Sequence, residues 1–186
     1  MMRRIAHHAG VRPCDPRRTR RNRQLVVTAA TIAALLFPIM HRPAPRLVWN
    51  ASQSVPTGLY RVAPGTHPRV GELAAIRPSP ALARFMAMRG YVEQGVLLVK
   101  PIAAPAGARV CRRGTDVTID GRHIATALER DRRGRALPRW QGCWRLGADQ
   151  LFLIAPARPD SFDSRYFGAV ARLRVVGRAR PLWTWP

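Results

Sequence analysis

The sequence predicts a mainly β fold, built from antiparallel strands with one short helix and preceded by one N-terminal transmembrane helix. The main observation is a series of short apolar runs separated by turn residues, in a chain of 186 residues with 17 prolines and 14 glycines. Short runs bounded by Pro and Gly are typical of antiparallel sheets with tight connections. A hydrophobic content of 47% is ample for a buried core, which excludes a disordered tail.

An uncharged segment of sixteen residues, 25–40, follows a basic N-terminus in which residues 1–24 hold eight arginines against one acid. As a helix it would extend about 24 Å, and the flanking arginines can extend its reach across the ~30 Å hydrocarbon layer. We predict a single uncleaved anchor; a secretory signal peptide and a buried soluble helix are the alternatives. The arginine excess before the anchor places the N-terminus in the cytoplasm and the body outside.

Four regions follow from this pattern. Residues 1–24 form a basic cytoplasmic segment, 25–40 the anchor, 41–46 a short proline-flanked linker, and 47–186 an exported domain. The linker contains no small-x-small cleavage site, which favours an anchor over a signal peptide.

The exported domain is predicted to contain ten strands and one helix. Asp120-Gly121 predicts a two-residue hairpin between two of the strands. Ser79 is a suitable cap for a helix that starts at Pro80, continues through Arg89 and ends at Gly90. The predicted strands are 46–49, 58–63, 71–77, 96–102, 108–113, 115–120, 122–127, 143–146, 150–155 and 168–177.

The net charge of +22 suggests nucleic acid and anionic lipid as candidate partners. Beyond residue 24 the positive charge is scattered, and the sequence has no zinc-ligand spacing, recognition-helix pattern or aromatic-basic interleaving. We therefore expect the lipid bilayer to be a partner and expect no direct binding of nucleic acid.

Two of the three cysteines, Cys111 and Cys143, lie on strand candidates of the exported domain, while Cys14 lies in the cytoplasmic segment. In an oxidising compartment the exported pair is expected to form a disulfide. It would close a loop of about 30 residues and add roughly 3–4 kcal/mol of stability. Two unrelated buried thiols are the alternative.

Lys100 is the only lysine in a chain with 32 basic Lys and Arg residues. It ends the apolar run Val96-Leu97-Leu98-Val99, whose side chains can lower the pKa of a neighbouring amine. Arginine keeps its charge at any working pH, whereas a buried lysine can become neutral and act as a base. A lysine that merely extends to solvent from a strand end is the alternative.

Two polar segments could complete a site with Lys100. In the first, Ser54 precedes Pro56 and Gly58 on a constrained turn that can expose its hydroxyl. The second, Asp160 to Arg165, holds two acids, two serines and one arginine within six residues. An ordinary solvated turn is the alternative in both cases.

A serine hydroxyl needs a base before it becomes a good nucleophile. Of the histidines beyond the linker, His67 and His123 are isolated and are expected to be ordinary surface residues. A desolvated lysine can replace histidine in this role, and Ser-Lys pairs are a known variant of the catalytic triad.

With these residues in place, the chain resembles the bacterial type I signal peptidases, and most closely their TraF-type conjugal transfer branch. The resemblance rests on three motifs in the family's order: Ser54-Val55-Pro56-Thr57-Gly58, Val99-Lys100, and the specific box from Ser161 to Gly168. It spans residues 25–186 and implies a signal-peptidase-like antiparallel β fold in the periplasm, anchored in the inner membrane.

The resemblance also implies the roles of the site residues. Ser54 would be the nucleophile and Lys100 the general base, with Ser161 orienting the lysine amine. Asp163 would pair with Arg165 or assist the base. The backbone N–H of Ser54 would bind the oxyanion, with the hydroxyl of Ser52 as a further contributor. No metal or organic cofactor is implied.

The sequence departs from the housekeeping signal peptidases at three points. Pro101 follows the lysine where those enzymes carry arginine, residues 106–108 read Ala-Gly-Ala in place of Pro-Gly-Asp, and residues 156–159 replace a leading Gly-Asp-Asn. These differences favour the conjugation branch and leave two roles for Asp163, catalytic or structural.

We therefore expect a membrane-anchored serine endopeptidase that processes, and in some family members cyclises, a conjugative pilin precursor. Its partners would be that precursor, the lipid bilayer and further subunits of the conjugation apparatus. The alternatives are a general signal peptidase that removes signal peptides from exported proteins, and a non-catalytic scaffold of the type IV secretion apparatus.

Overall fold

The structure, a computed structural model, describes residues 16–40 and 44–185. The chain divides into two compact units, Met1–Pro43 and Ala44–Pro186. Residues 1–15 of the predicted basic segment, including Cys14, lie outside the described residues, as do residues 41–43 of the predicted linker.

The first unit contains one described helix, α1 (Pro16–Met40), which includes the whole of the predicted anchor and begins nine residues before it. In the described part of the chain, no helix has both the length and the hydropathy needed to cross a membrane. The anchor itself stays a prediction.

The second unit is mainly β, as predicted, and all its paired strands are antiparallel. Its helices are α2 (Pro80–Met88) and the single turn α3 (Ser164–Phe167). The strands are β1 (Leu47–Asn50), β2 (Thr57–Pro64), β3 (Leu73–Ile76), β4 (Leu98–Ala104), β5 (Arg109–Arg113), β6 (Asp116–Ile119), β7 (Arg122–Thr126), β8 (Gly142–Arg145), β9 (Gln150–Leu153), β10 (Val170–Ala171) and β11 (Val175–Trp185).

These strands form two sheets. Seven strands make the larger sheet in the order β1-β2-β11-β3-β4-β9-β10, and four make the smaller one in the order β7-β6-β5-β8. Alternating side chains of β2 are buried, with Tyr60 and Val62 packed against Val99 of β4 in one core cluster. Phe152 of β9 packs with Val110 of the smaller sheet in another cluster, so the larger sheet and the smaller sheet share apolar contacts.

Local sequence signals explain several elements. The Ser79 hydroxyl accepts a hydrogen bond from the backbone N–H of Leu82, and therefore caps α2 as predicted. The hairpin between β6 and β7 turns at Asp120 and Gly121, whose φ angles of 48° and 81° are both positive. Two positive φ angles are typical of the type I′ turn that matches strand twist.

The prediction of one continuous strand over residues 168–177 is wrong. The structure breaks it into β10, a 3₁₀ turn at Arg172–Arg174 and the first part of β11, which continues to Trp185. The turn exposes Leu173, and the backbone N–H of Arg172 donates to the carbonyl of Asp149. Pro181 lacks an N–H, and the strand accommodates it with a register shift between Pro181 and Trp183.

The predicted disulfide is present. Cys111 of β5 and Cys143 of β8 lie directly opposite each other and are joined by an S–S bond of 2.08 Å. The bond links two strands that are 32 residues apart in the sequence and so fixes the edge of the smaller sheet.

Candidate active site

The turn that carries Ser54 lies between β1 and β2. Gly58 closes this turn with a φ of 138°, and a Cβ at that position would collide with the backbone carbonyl of Trp183. Only glycine fits both the positive φ and the close approach of the neighbouring strand. The Tyr60 hydroxyl donates to the carbonyl of Pro56 at 2.6 Å, which fixes the end of the turn. Ser54 is half-buried there.

Lys100 lies on β4, where it pairs with Ala74 of β3, and only 3% of its surface is exposed. Its Nζ donates a hydrogen bond to the Ser54 hydroxyl. It also contacts the Ser161 hydroxyl at 2.8 Å, and the two hydroxyls lie 3.1 Å apart. The structure therefore brings together three predicted site residues that are far apart in the sequence.

Burial lowers the pKa of Lys100 from 10.5 to about 8. The negative charge of Asp163 opposes this decrease, and the positive charge of Arg165 supports it. A neutral amine can accept the proton of the Ser54 hydroxyl while its own N–H groups donate to Ser161. A pKa near 8 allows an appreciable neutral fraction at neutral pH.

Asp163 and Arg165 form a buried ion pair beside this triangle, with 0% and 1% of their surfaces exposed. The guanidinium binds both carboxylate oxygens, with Nε to Oδ1 at 2.9 Å and Nη2 to Oδ2 at 2.7 Å. Although burial opposes the charge of Arg165, its hydrogen bond and ion pair with Asp163 raise its pKa. The guanidinium thereby remains charged in the protein interior.

The guanidinium of Arg165 also holds the backbone that leads to Ser161. It donates to the carbonyl of Arg158 at 2.8 Å, Pro159 at 3.1 Å and Ala155 at 3.2 Å. Asp163 accepts from the N–H of Ala155 at 3.0 Å. The hydrogen bonds of the Asp163 carboxylate go to this segment and to Arg165, and none joins it to Lys100 in the described structure. This geometry favours a positioning role for Asp163.

Asn50, at the end of β1, is a site residue that the sequence analysis missed. Its Nδ2 donates to the carbonyls of Ser52 at 2.8 Å, Val55 at 3.2 Å and Pro56 at 3.2 Å. Its Oδ1 accepts from the Ser52 hydroxyl at 2.8 Å and from the Ser52 N–H at 3.3 Å. Three carbonyls can only face an N–H group, which fixes the orientation of the amide. The signal was an Asn two residues before a serine, an Asx turn.

The Ser52 hydroxyl has one hydrogen, and in this structure it points to Asn50. Ser52 can therefore donate to an oxyanion only after its hydroxyl rotates away from Asn50.

The site opens into a cavity of about 480 Å³ that Ser54, Lys100 and Ser161 line together. Charged residues are common in its lining, and of these the sequence analysis singled out only Asp160. The others are Arg89, Arg132, Arg133, Arg135 and Asp131. Asp131 binds the Tyr91 hydroxyl at 2.7 Å and Arg135 Nε at 2.7 Å. These contacts tie the segment after β7 to the one after α2 and hold the cavity wall.

Neither histidine of the second unit belongs to this site. His123 contacts Asp116 on the exposed surface of the smaller sheet, and His67 is exposed. The cavity that contains Ser54 is lined by neither of them.

Comparisons with known proteins agree on one family. A sequence profile described as "Signal peptidase, peptidase S26" matches residues 19–185. The chain is 35% identical over 147 residues to a probable conjugal transfer protein TraF of Sinorhizobium fredii (strain NBRC 101917 / NGR234), covering 73% of this chain and 76% of the relative. It is 27% identical over 168 residues to a plasmid transfer protein TraF of Escherichia coli, covering 86% and 94%.

Among solved structures, a signal peptidase I from Enterococcus faecalis V583 superposes with a TM-score of 0.37 and 20% sequence identity. That match covers 61% of this chain and 97% of the other one.

Proposed function

This chain belongs to the peptidase S26 family of signal peptidases, in its TraF-type branch, and we propose that Ser54 and Lys100 form its catalytic dyad. As a serine-type peptidase it acts on a protein substrate. The observation that carries the proposal is the position of the Lys100 amine, buried in a cavity wall between the hydroxyls of Ser54 and Ser161.

The first step is acylation. The neutral Lys100 amine takes the hydroxyl proton of Ser54 as Oγ attacks the scissile carbonyl, and the ammonium then gives that proton to the leaving amine. Ser161 accepts a hydrogen bond from Lys100 at 2.8 Å, which fixes the direction of the amine lone pair toward Ser54. Burial supports this chemistry because it disfavours the ammonium form at rest.

The negative charge of the tetrahedral intermediate requires donors close to Ser54. The backbone N–H of Ser54 is the first, and the Ser52 hydroxyl is a second one after it turns away from Asn50. An acyl-enzyme ester remains, and a nucleophile releases it. Water as the nucleophile gives a linear product, whereas the substrate's own N-terminal amine gives a cyclic product.

Asp163 and Arg165 act as positioning residues. Their ion pair and the hydrogen bonds of Arg165 to three backbone carbonyls hold the segment that carries Ser161. Removal of either residue would leave a buried partner charge uncompensated, which is strongly destabilising.

We propose a conjugative pilin precursor as the substrate. The relatives are named as conjugal or plasmid transfer proteins, which supports this substrate. The departures from the housekeeping motifs at Pro101 and residues 156–159 support it as well. The sixteen uncharged residues 25–40 and the arginines before them support an inner-membrane anchor with the peptidase unit in the periplasm.

Substitution of Ser54 by alanine in cells that carry the conjugation genes tests this proposal. We expect the pilin precursor to accumulate while other exported proteins mature normally. Thr126→Ala, which removes an exposed hydroxyl on β7 outside this cavity, should process pilin as the wild type does. The mass of the mature pilin distinguishes the two products, because the cyclic product is lighter than the linear one by one water molecule. Normal pilin maturation in the Ser54→Ala strain would refute the nucleophile, and a general export defect would point to a housekeeping enzyme.

A further inference from the structure

A second cavity, of about 250 Å³, lies between the β5–β6 turn and the segment 128–139, and neither Ser54 nor Lys100 lines it. Three arginines line it: Arg112, Arg130 and Arg139. The one acidic side chain in its wall, Glu129, belongs to an exposed residue and forms no ion pair within 4 Å in the described structure. The cavity is therefore predominantly cationic.

Arg112 is the most unusual of the three because its residue is only 2% exposed. Its Nη1 donates to the carbonyl of Arg165 at 2.5 Å, and its Nε donates to the carbonyl of Gly114 at 3.1 Å. The guanidinium carbon lies 5.9 Å from the centre of the Tyr166 ring. Within residues 16–40 and 44–185, no carboxylate lies within ion-pair distance of it.

The surroundings disfavour this charge further. Burial lowers the pKa of Arg112. The interaction with Tyr166 opposes this decrease, and the positive charge of Arg139 adds to it. Buried charges in proteins are normally paired, since an isolated ion loses its hydration without compensation. Among the described residues, Arg165 is the other fully buried arginine, and it follows this rule through Asp163. Arg112 and Arg139 instead face one cavity with the same sign of charge.

We propose that this cavity binds a small oxyanion of the phosphate class, held between Arg112 and Arg139. A guanidinium presents a planar fork of N–H donors that matches phosphate oxygens, and two such forks with an excess of positive charge form a suitable site. The oxyanion supplies the counter-charge that residues 16–40 and 44–185 do not place beside Arg112. The site is separate from the proposed dyad and does not depend on it.

The site lies one layer of side chains from the active site. Arg112 holds the carbonyl of Arg165, and Leu128 and Leu137 line both cavities. Binding there therefore stabilises the peptidase unit on the side of the Ser161–Gly168 segment, because a ligand that binds only the folded state raises its stability.

Thermal unfolding and calorimetry of the full-length protein in detergent test this proposal, with inorganic phosphate titrated against sodium chloride at matched ionic strength. We expect a saturable increase in Tm with phosphate and one binding event per chain. Glycerol phosphate, a mimic of a lipid headgroup, is titrated in parallel. A response to both ligands would show that the site also accepts an esterified phosphate. A response to inorganic phosphate alone would identify the free ion as the ligand. Both outcomes support the proposed site.

Three variants complete the test. Arg139→Gln, at an exposed residue, should fold normally and lose the phosphate-dependent shift, with affinity reduced at least tenfold. Arg130→Gln changes a second arginine of the cavity wall. Arg122→Gln, at an exposed arginine of β7 outside the cavity, is the control and should retain the full response to phosphate. An equal response to chloride, or the same phosphate response in the three variants, would show non-specific screening and overturn the proposal.

Discussion

Replacement of Lys100 by arginine separates the charge of this residue from its ability to act as a base. The wild-type amine is buried and contacts both Ser54 and Ser161. Arginine at the same position keeps a positive charge and N–H donors for the two hydroxyls, but it does not deprotonate at working pH. Any role in simple charge or hydrogen bonding would survive this change in part.

The expected magnitude follows from the neutral fractions. A pKa of about 8 leaves roughly one Lys100 amine in ten neutral at pH 7. A guanidinium stays protonated at any working pH and so leaves no appreciable neutral fraction at pH 7. A positioned general base contributes about 10²–10⁴ in rate. We therefore expect kcat/KM to fall by about 10²–10⁴, after which binding and oxyanion stabilisation maintain the residual activity.

The assay is cleavage of a fluorogenic precursor peptide by full-length protein in detergent, over pH 6 to pH 10. The wild-type rate should increase with pH and level off above about 8, since deprotonation of Lys100 creates the base. Lys100→Met, which removes the amine, should be as inactive as Lys100→Arg. A Lys100→Arg enzyme within tenfold of the wild type, with a normal Tm, would refute the general-base role.

Three further predictions concern the burial of Lys100, the turn held by Asn50 and the disulfide. Lys100→Met should increase the free energy of unfolding by about 3 kcal/mol at pH 7, where the buried amine is protonated in both states. This gain should shrink as pH rises from about 8 to 10.5, because the unfolded chain alone then binds the proton, and urea unfolding at pH 7 and pH 10 measures it. Asn50→Ala should lower kcat by about tenfold or more with KM nearly unchanged, because it removes the hydrogen bonds that hold the turn carrying Ser54. An unchanged kcat in steady-state kinetics would exclude a positioning role for Asn50. The double variant Cys111→Ser, Cys143→Ser should have a free energy of unfolding in urea that is lower by about 3–4 kcal/mol. The mass of the wild-type domain should be two hydrogens below that of the reduced chain, and two free thiols would contradict the disulfide.

Local signals predicted the local structure well. The Asp120-Gly121 turn, the Ser79 cap and nine of the ten strand positions depend on residues that are neighbours in the chain. The prediction of the C-terminal strand β11 failed because Pro181 interrupts the strand pattern of the sequence. In addition, the pairing of β11 with β2 and β3 is a long-range contact. Register shifts of this kind are set by the partner strands, and no short window of sequence contains them.

The candidate site was predicted in part from composition and in part from resemblance. The single lysine on an apolar run suggested a base, but nothing in the spacing required Ser54 and Ser161, 46 and 61 residues away, to meet its amine. Asn50 was missed because its five hydrogen bonds appear only when the turn is closed. The arginines of the cavity rim were missed because arginine is so common in this chain that no single one stands out.

The buried ion pair of Asp163 and Arg165 suggests how the fold keeps the pKa of Lys100 low. A carboxylate in direct contact with Lys100 would hold its amine in the charged form. Asp163 instead forms its ion pair with Arg165, and the opposing effects of these two charges leave burial as the dominant influence on Lys100. The serine hydroxyl of Ser161 then satisfies the amine without adding charge. The Ser161–Gly168 segment thus orients the base while keeping its paired charges out of hydrogen-bonding contact with it.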